Sequence, residues 1–242
     1  MYIDDKGVVL RTVKYDDKSF IAHVFTESRG CVAFMVSIPR SRRSGMGTYL
    51  FQPLSFLSFQ WDAKPTATLH RMKEARLLQV WADIPYNPVK RSVAMLLNEF
   101  MAHALSNEAE NSDLYLYIMH SMSWFDAAER GYANFHLVFL LKLARFLGIA
   151  PNMEAYEEGC SFDLTRGCFC TEGMPSATML DSTDAGLLFR LSETNYASMD
   201  GVGMNRHDRA RMVRSLAAYY ALHIPRFPAL QSLEILQSVC EG

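Results

Sequence analysis

Through the first 80 residues apolar and polar positions alternate with a period of two, the signature of half-buried strands. Val8, Leu10 and Thr12 alternate with Val9, Arg11 and Val13. Ser19 to Thr26 is rich in Phe, Ile and Val, and Cys31 to Ile38 sets Val32, Phe34, Val36 and Ile38 on one face. Each run predicts a strand. Residues 15–18 (Tyr-Asp-Asp-Lys) and 27–30 (Glu-Ser-Arg-Gly) supply turn chemistry between them, Gly30 because it takes positive φ at no steric cost. Leu54 to Trp61 predicts a fourth strand behind Pro53, and a fifth falls within Thr66 to Val80. Five short antiparallel strands in about 80 residues suit a small closed barrel, for which the OB-fold is the size match.

After Trp81 the period changes to that of a helix. Asn87-Pro88 is a helix opening, and Val93, Leu96, Leu97 and Phe100 recur at helical spacing as far as Leu105. Ser112-Asp113 starts a second helix carrying Leu116, Met119, Trp124 and Phe125. Phe135 to Leu147 predicts a third, apolar on most sides and therefore central, ending at Gly148. Residues 156–175 show no clear period and predict an irregular excursion, with a hairpin around Thr165-Arg166-Gly167. Leu180 to Leu191 and Arg206 to Ile224 predict further helices, and Pro225 and Pro228 precede a last one over Leu230 to Cys240. The expected fold class is α+β: a five-stranded OB-fold barrel over residues 1–82, then an all-α helical domain over 83–242.

Charge divides the chain at the same place. Residues 1–80 hold twelve Lys/Arg against seven Asp/Glu, residues 81–242 twelve against nineteen, so the overall −2 hides a basic front and an acidic body. The positive charge peaks at Arg40-Ser41-Arg42-Arg43, a loop for which a polyanion is the natural partner. Half of the residues are hydrophobic, ample for a core. The first residues lack the order of a signal peptide, and no apolar run approaches the roughly 18 residues of a membrane span. Five cysteines without an export signal fit reduced thiols in a cytoplasm, with no membrane partner.

Catalytic patterns are missing. No phosphate-cradling G-x-x-x-x-G-K-[ST] occurs, and Gly45-Met46-Gly47 and Gly201-Val202-Gly203 both lack the third glycine of a dinucleotide fingerprint. H-E-x-x-H and G-x-S-x-G are absent too. Asp4/Asp5 and Asp16/Asp17 read as solvated turn pairs, and His120 and His136 as packed helix residues. The reading is of a protein that is not an enzyme and has no catalytic residues. Cys160, Cys168 and Cys170 are close in sequence, yet the pair at 168 and 170 has one intervening residue, too few for the usual zinc spacing. No metal and no cofactor are expected.

Several phrases resemble one family. Residues 7–12 (Gly-Val-Val-Leu-Arg-Thr), Tyr15 and residues 25–30 (Phe-Thr-Glu-Ser-Arg-Gly) are similar to the opening of the bacterial RecO recombination and repair mediators. Arg40 to Arg43 followed by residues 50–54 (Leu-Phe-Gln-Pro-Leu) resembles that family's basic loop and strand entry. Residues 147–152 (Leu-Gly-Ile-Ala-Pro-Asn) resemble the close of its central helix, and Tyr219 through Leu233 is similar to the ending of one branch. The resemblance implies binding of single- and double-stranded DNA, strand annealing, and work with RecR to load RecA onto strands covered by the single-stranded-DNA-binding protein SSB. Many members carry a four-Cys zinc site; its first two positions here fall on Tyr156 and Gly159, so the zinc does not carry over.

The candidate DNA-binding residues are Arg11 and Lys14 on the first strand, Arg40, Arg42 and Arg43 in the loop, and Arg71, Lys73 and Arg76 at the barrel's end. Tyr49, Phe51, Phe59 and Trp61 compete between base stacking and the core. For the acidic, apolar C-terminal tail of SSB the candidates are Lys142 and Arg145, or Arg206, Arg209, Arg211 and Arg214. The alternative function is an RNA-binding or protein-interaction adaptor.

Overall fold

In the computed structural model, residues 2–37, 47–64, 67–171 and 176–234 are described. The chain falls into two compact units, one holding residues up to Tyr86 with Asn98–Ser123, the other Asn87–Leu97 with the residues from Trp124 on. Strands β1 (Tyr2–Lys14), β2 (Ser19–Thr26), β3 (Gly30–Ser37), β4 (Phe56–Asp62) and β5 (His70–Leu77) close into a barrel in the order β1-β2-β3-β5-β4. Within the barrel four pairs are antiparallel and β3 pairs with β5 in parallel, which departs from the expected all-antiparallel set because closure brings the third and fifth strands together in the same direction. The OB-fold barrel followed by helices is therefore present as expected.

The barrel interior is filled from alternate positions, as the period of two requires: Val9, Ala22, Val24, Phe34, Val36, Leu57 and Met72. Phe34 sits at the centre, meeting Phe59 and Trp61 edge to face at 5.4 and 5.3 Å. Strand β1 begins at Tyr2, not near Val8, because Asp4 and Asp5 belong to it and not to a turn. Asp5 is buried and accepts from the Trp61 Nε1–H at 3.1 Å and the Ser28 hydroxyl at 2.7 Å. Gly30 takes φ +69°, and a Cβ there would collide with the backbone of Glu108 and Ala109.

Two bulges break the alternation. On β1 the register steps from Val9↔Val24 to Arg11↔His23, so Leu10 is extra. Its carbonyl leaves the ladder and accepts instead from Asn98 Nδ2 at 2.8 Å. On β5 it steps from Gln60↔Lys73 to Ser58↔Arg76, with Glu74 in the left-handed region at φ 55°. A bulge shifts every later side chain to the other face.

The helices are α1 (Pro88–Ala104), α2 (Ser112–Ala127), α3 (Phe135–Phe146), α4 (Ser182–Ser192) and α5 (Arg206–His223). Their boundaries lie close to those that periodicity predicts, because α4 and α5 open on Asp181 and Asn205 caps, the second a full capping box. Phe135 to Leu141 of α3, with Leu143 and Ala144, are buried, as a sequence apolar on most sides requires, while Lys142 is half-buried. Tyr220 donates to Leu140 O at 2.8 Å and ties α5 to α3. The excursion after α3 contains a small sheet of β6 (Ser161–Asp163), β7 (Cys168–Cys170) and β8 (Met179–Leu180), ordered β7-β6-β8. The expected turn at 165–167 closes its β6–β7 hairpin. The final predicted helix is helical over residues 232–234; beyond Glu234 it lies outside the described residues.

Candidate nucleic-acid interface

The bulges decide which way the barrel's arginines point. Strict alternation would group Arg11 with Val9, a core residue; the extra Leu10 turns Arg11 outward beside His23. The bulge at Glu74 does the same on β5. Arg71 and Lys73 are exposed, Ala75 and Leu77 pack toward the core, and Arg76 is exposed opposite Ser58. Three cations therefore share the outer face of β5.

None of Arg11, Arg71 and Arg76 makes an ion pair among the described residues. The charge of Arg11 is felt nearby: burial first, and Arg11 second, lower the pKa of His23. Burial pushes the Cys31 thiol up to about 11, which Arg11 partly opposes. Lys14, in contrast, pairs with Asp17 at 2.9 Å in full exposure, and it sits with Arg11 on the stretch of β1 that β4 does not reach. Register thus keeps Arg11 and Lys14 apart from the β5 cations. Arg40, Arg42 and Arg43 lie outside the described residues.

The stacking candidates separate cleanly. Phe51, Phe59 and Trp61 are core residues and cannot meet a base, while Tyr49 is 65% exposed. A residue that periodicity does not mark is Tyr2, 59% exposed, with Lys73 Nζ 5.2 Å from its ring centroid. The adjacent Asp4-Asp5 hides the strand it belongs to.

In the helical unit Lys142 and Arg145 line an apolar depression with Val138, Leu141, Pro151, Met153 and Leu191. Burial, and then the neighbouring Arg145, lower the pKa of Lys142, whose Nζ also lies 4.7 Å from the Tyr196 ring centroid. The α5 arginines are differently placed. Arg211 grips Asp184 through Nε at 3.2 Å and Nη2 at 2.9 Å and reaches Asp208 at 3.0 Å. Arg209 donates to Met204 O at 2.6 Å, and Arg206 is likewise engaged. Arg214 is exposed beside Ala217, Ala221, Phe227 and Leu230.

The residues of the excursion do not fit a zinc ion. Tyr156, at the first of the expected ligand positions, stacks on Phe189 at 4.0 Å and meets Phe169 edge-on at 5.1 Å. Gly159 has no ligand atom, and among the described residues no three His, Cys, Asp or Glu converge on a metal position. Aromatic packing holds the hairpin instead.

Also among the described residues, no helix is long and apolar enough to cross a membrane. Residues 1–81 match the family model described as Recombination protein O N terminal, and residues 85–234 the one described as Recombination protein O C terminal. The chain is 42% identical to the DNA repair protein RecO of Phocaeicola vulgatus over 96% of its length and 97% of the relative. It is 41% identical to that of Bacteroides fragilis over the same shares. To that of Azobacteroides pseudotrichonymphae it is 30% identical over 99% of both chains. A closed barrel with outward arginines, helices following it in sequence and two consecutive matches over nearly the whole length give one conclusion: this chain belongs to the RecO family of DNA repair proteins.

Proposed function

We propose that this protein is a non-enzymatic recombination mediator of the cytoplasm. It binds and anneals single- and double-stranded DNA and, with RecR, helps load RecA onto SSB-coated strands. Residues 1–82 form the DNA-binding part, and residues 83–242 receive the SSB tail. The observation that carries the reading is the set of unpaired outward cations on the barrel, Arg11, Arg71 and Arg76, beside Lys73. Cations left in water at no structural use release counterions from a polyanion when it binds. Arg40, Arg42 and Arg43 add to this set as backbone contacts without sequence preference. For the SSB tail, an apolar floor with a cationic rim is what an acidic, apolar peptide needs. The Lys142–Arg145 depression is favoured over the start of α5 because Arg211 there is already held by two carboxylates.

The test is annealing of complementary strands precoated with SSB. Added protein should accelerate duplex formation without any nucleotide cofactor, and RecR should promote RecA filament growth on the same coated strands only when this protein is present. Annealing at the uncatalysed rate, together with no gel shift at low salt, would remove the reading.

A further inference from the structure

Three strands present a common outer grid. Register aligns Tyr2, Asp4 and Lys6 of β1 with Asp62, Gln60 and Ser58 of β4, and the last two with Lys73 and Arg76 of β5. Arg71 continues the β5 row. The β1 and β5 positions of this grid are exposed and the β4 positions half-buried, and it contains one large aromatic surface, Tyr2. Lys73 holds one side of that ring by a cation–π contact, which fixes its orientation while more than half of the residue faces solvent. The opposite wall of the barrel differs. Ile21, His23 and Phe25 of β2 and Ala33 and Met35 of β3 point outward there and include no Lys or Arg. Phe25 is fully buried, and the Cys31 N–H donates to Glu108 O at 3.1 Å. The strand 2–3 face through which OB-folds commonly take oligonucleotides is thus apolar and partly covered.

We infer that the exposed β1–β4–β5 face is a single-stranded DNA subsite, with Tyr2 stacking on one unpaired base and Arg71, Lys73 and Arg76 neutralising its phosphates. This rests on the DNA-binding reading above and adds a location and a strand preference. A base within a duplex has both faces covered by its neighbours, so the Tyr2 ring recognises an unpaired base alone. The cations act on either form. Charge complementarity selects a polyanion, and the oriented ring selects one that carries flat, unstacked groups.

The test uses the full chain with a single-stranded oligodeoxynucleotide carrying one 2-aminopurine, and the same sequence as a duplex. Binding is followed by anisotropy and stacking by fluorescence quenching. Tyr2→Ala should lose about 5- to 150-fold in single-strand affinity, the range of one base–aromatic stack, and should lose the quench. Tyr2→Phe should keep both, and duplex affinity should not change in either variant. Lys73→Ala should weaken both forms and lower the salt slope by about one. Equal melting temperatures for wild type and Tyr2→Ala would exclude a folding defect; if that variant unfolds, the same pattern with Tyr2→Gln decides. Wild-type single-strand binding in Tyr2→Ala, or equal weakening of single strand and duplex, would overturn the subsite while leaving the mediator reading intact. Tighter, Tyr2-dependent binding of an oligoribonucleotide or an acidic peptide would overturn the assigned occupant. No DNA binding by the wild type at low salt would overturn both readings.

Discussion

Arg76 on β5 and Arg211 on α5 carry the same guanidinium into opposite surroundings. Arg76 is turned out by a bulge and meets no carboxylate among the described residues. Arg211 is forked onto Asp184 in the first turn of α4 and reaches Asp208 of its own capping box. The contrast extends to other residues. Lys90 of the helical unit is 1% exposed and gives its ammonium protons to Asp126 O at 2.9 Å and Ala128 O at 2.7 Å. It caps the carbonyl end of α2, where positive charge is favoured. On the barrel Arg11, Arg71 and Arg76 make no ion pair among the described residues, whereas Lys90, Arg209 and Arg211 of the helical unit are engaged in holding it together. An acidic unit can therefore hold many arginines and still offer few of them to a partner.

The sharpest way to break the comparison is to remove a consumed cation. Lys90→Met should cost about 3 kcal/mol, because two buried carbonyls lose charge-assisted bonds and cannot reach water. Thermal or urea unfolding measures the loss, and DNA affinity at a temperature where the variant is folded should not change. A loss under about 1 kcal/mol would show that Lys90 is as dispensable as a surface lysine.

How much of this was legible beforehand follows from what each feature depends on. Strands and helices were legible because burial imposes a period, which Val32-Phe34-Val36 displays without interruption, and because the apolar run Leu137 to Leu141 marks a helix buried on most sides. The facing of Arg11 and Arg76 was not. It depends on Leu10 and Glu74, extra residues whose bulges leave no local signal in an ordinary β-strand composition. Nor were the partners of Arg211: Asp184 is 27 residues away, and only the meeting of α4 and α5 makes the pair. Phe51, Phe59 and Trp61 were ambiguous for a related reason, since an aromatic on a strand looks alike on either face until the register is fixed.

A second way to sharpen the contrast is with acid. His136 of α3 is buried, its Nδ1 has no hydrogen-bond partner among the described residues, and burial with nearby Arg209 lowers its pKa to about 3. The folded value lies below the unfolded value of about 6.5, so the unfolded chain binds the proton first as pH falls. Stability contributed by neutral His136 is complete above pH 6.5 and is lost progressively between pH 6.5 and about 3. Between about pH 7.5 and 5 the loss should be about 2 kcal/mol. His136→Gln should flatten that part of the profile. An unchanged slope would mean that other groups govern the acid response.

The exception within the helical unit is Lys142 with Arg145, and it sharpens the comparison by ligand binding. Replacing either with Ala should weaken an SSB tail peptide by about tenfold, roughly 1.4 kcal/mol, with little change in stability. Arg211→Ala should do the reverse, costing about 1 kcal/mol of stability for its partly exposed fork and leaving the peptide affinity alone. Calorimetric titration of the peptide into each variant separates the two. Equal losses from Lys142→Ala and Arg211→Ala would place the peptide on α5.

The smallest expected effect on stability is the most informative about the barrel. Arg76→Ala removes no ion pair and no buried surface, so its melting temperature should match the wild type within the equivalent of about 0.5 kcal/mol. If Arg76 is reserved for phosphate, the same change should lower the slope of log K against log salt by about one, alike for every DNA sequence. Arg71→Ala should behave identically and the two should add, since they lie at opposite ends of β5 and share no partner. The bulge supplies an independent check. Deleting Glu74 removes the extra residue and leaves Lys73 outward, Ala75 inward and Arg76 outward in strict alternation, so a folded deletion variant should keep the Arg76 contribution to the salt slope. An unchanged salt slope in both Arg76→Ala and Arg71→Ala would show that the outward aim of these arginines has no bearing on DNA. The barrel's unpaired arginines would then be ordinary solvated surface.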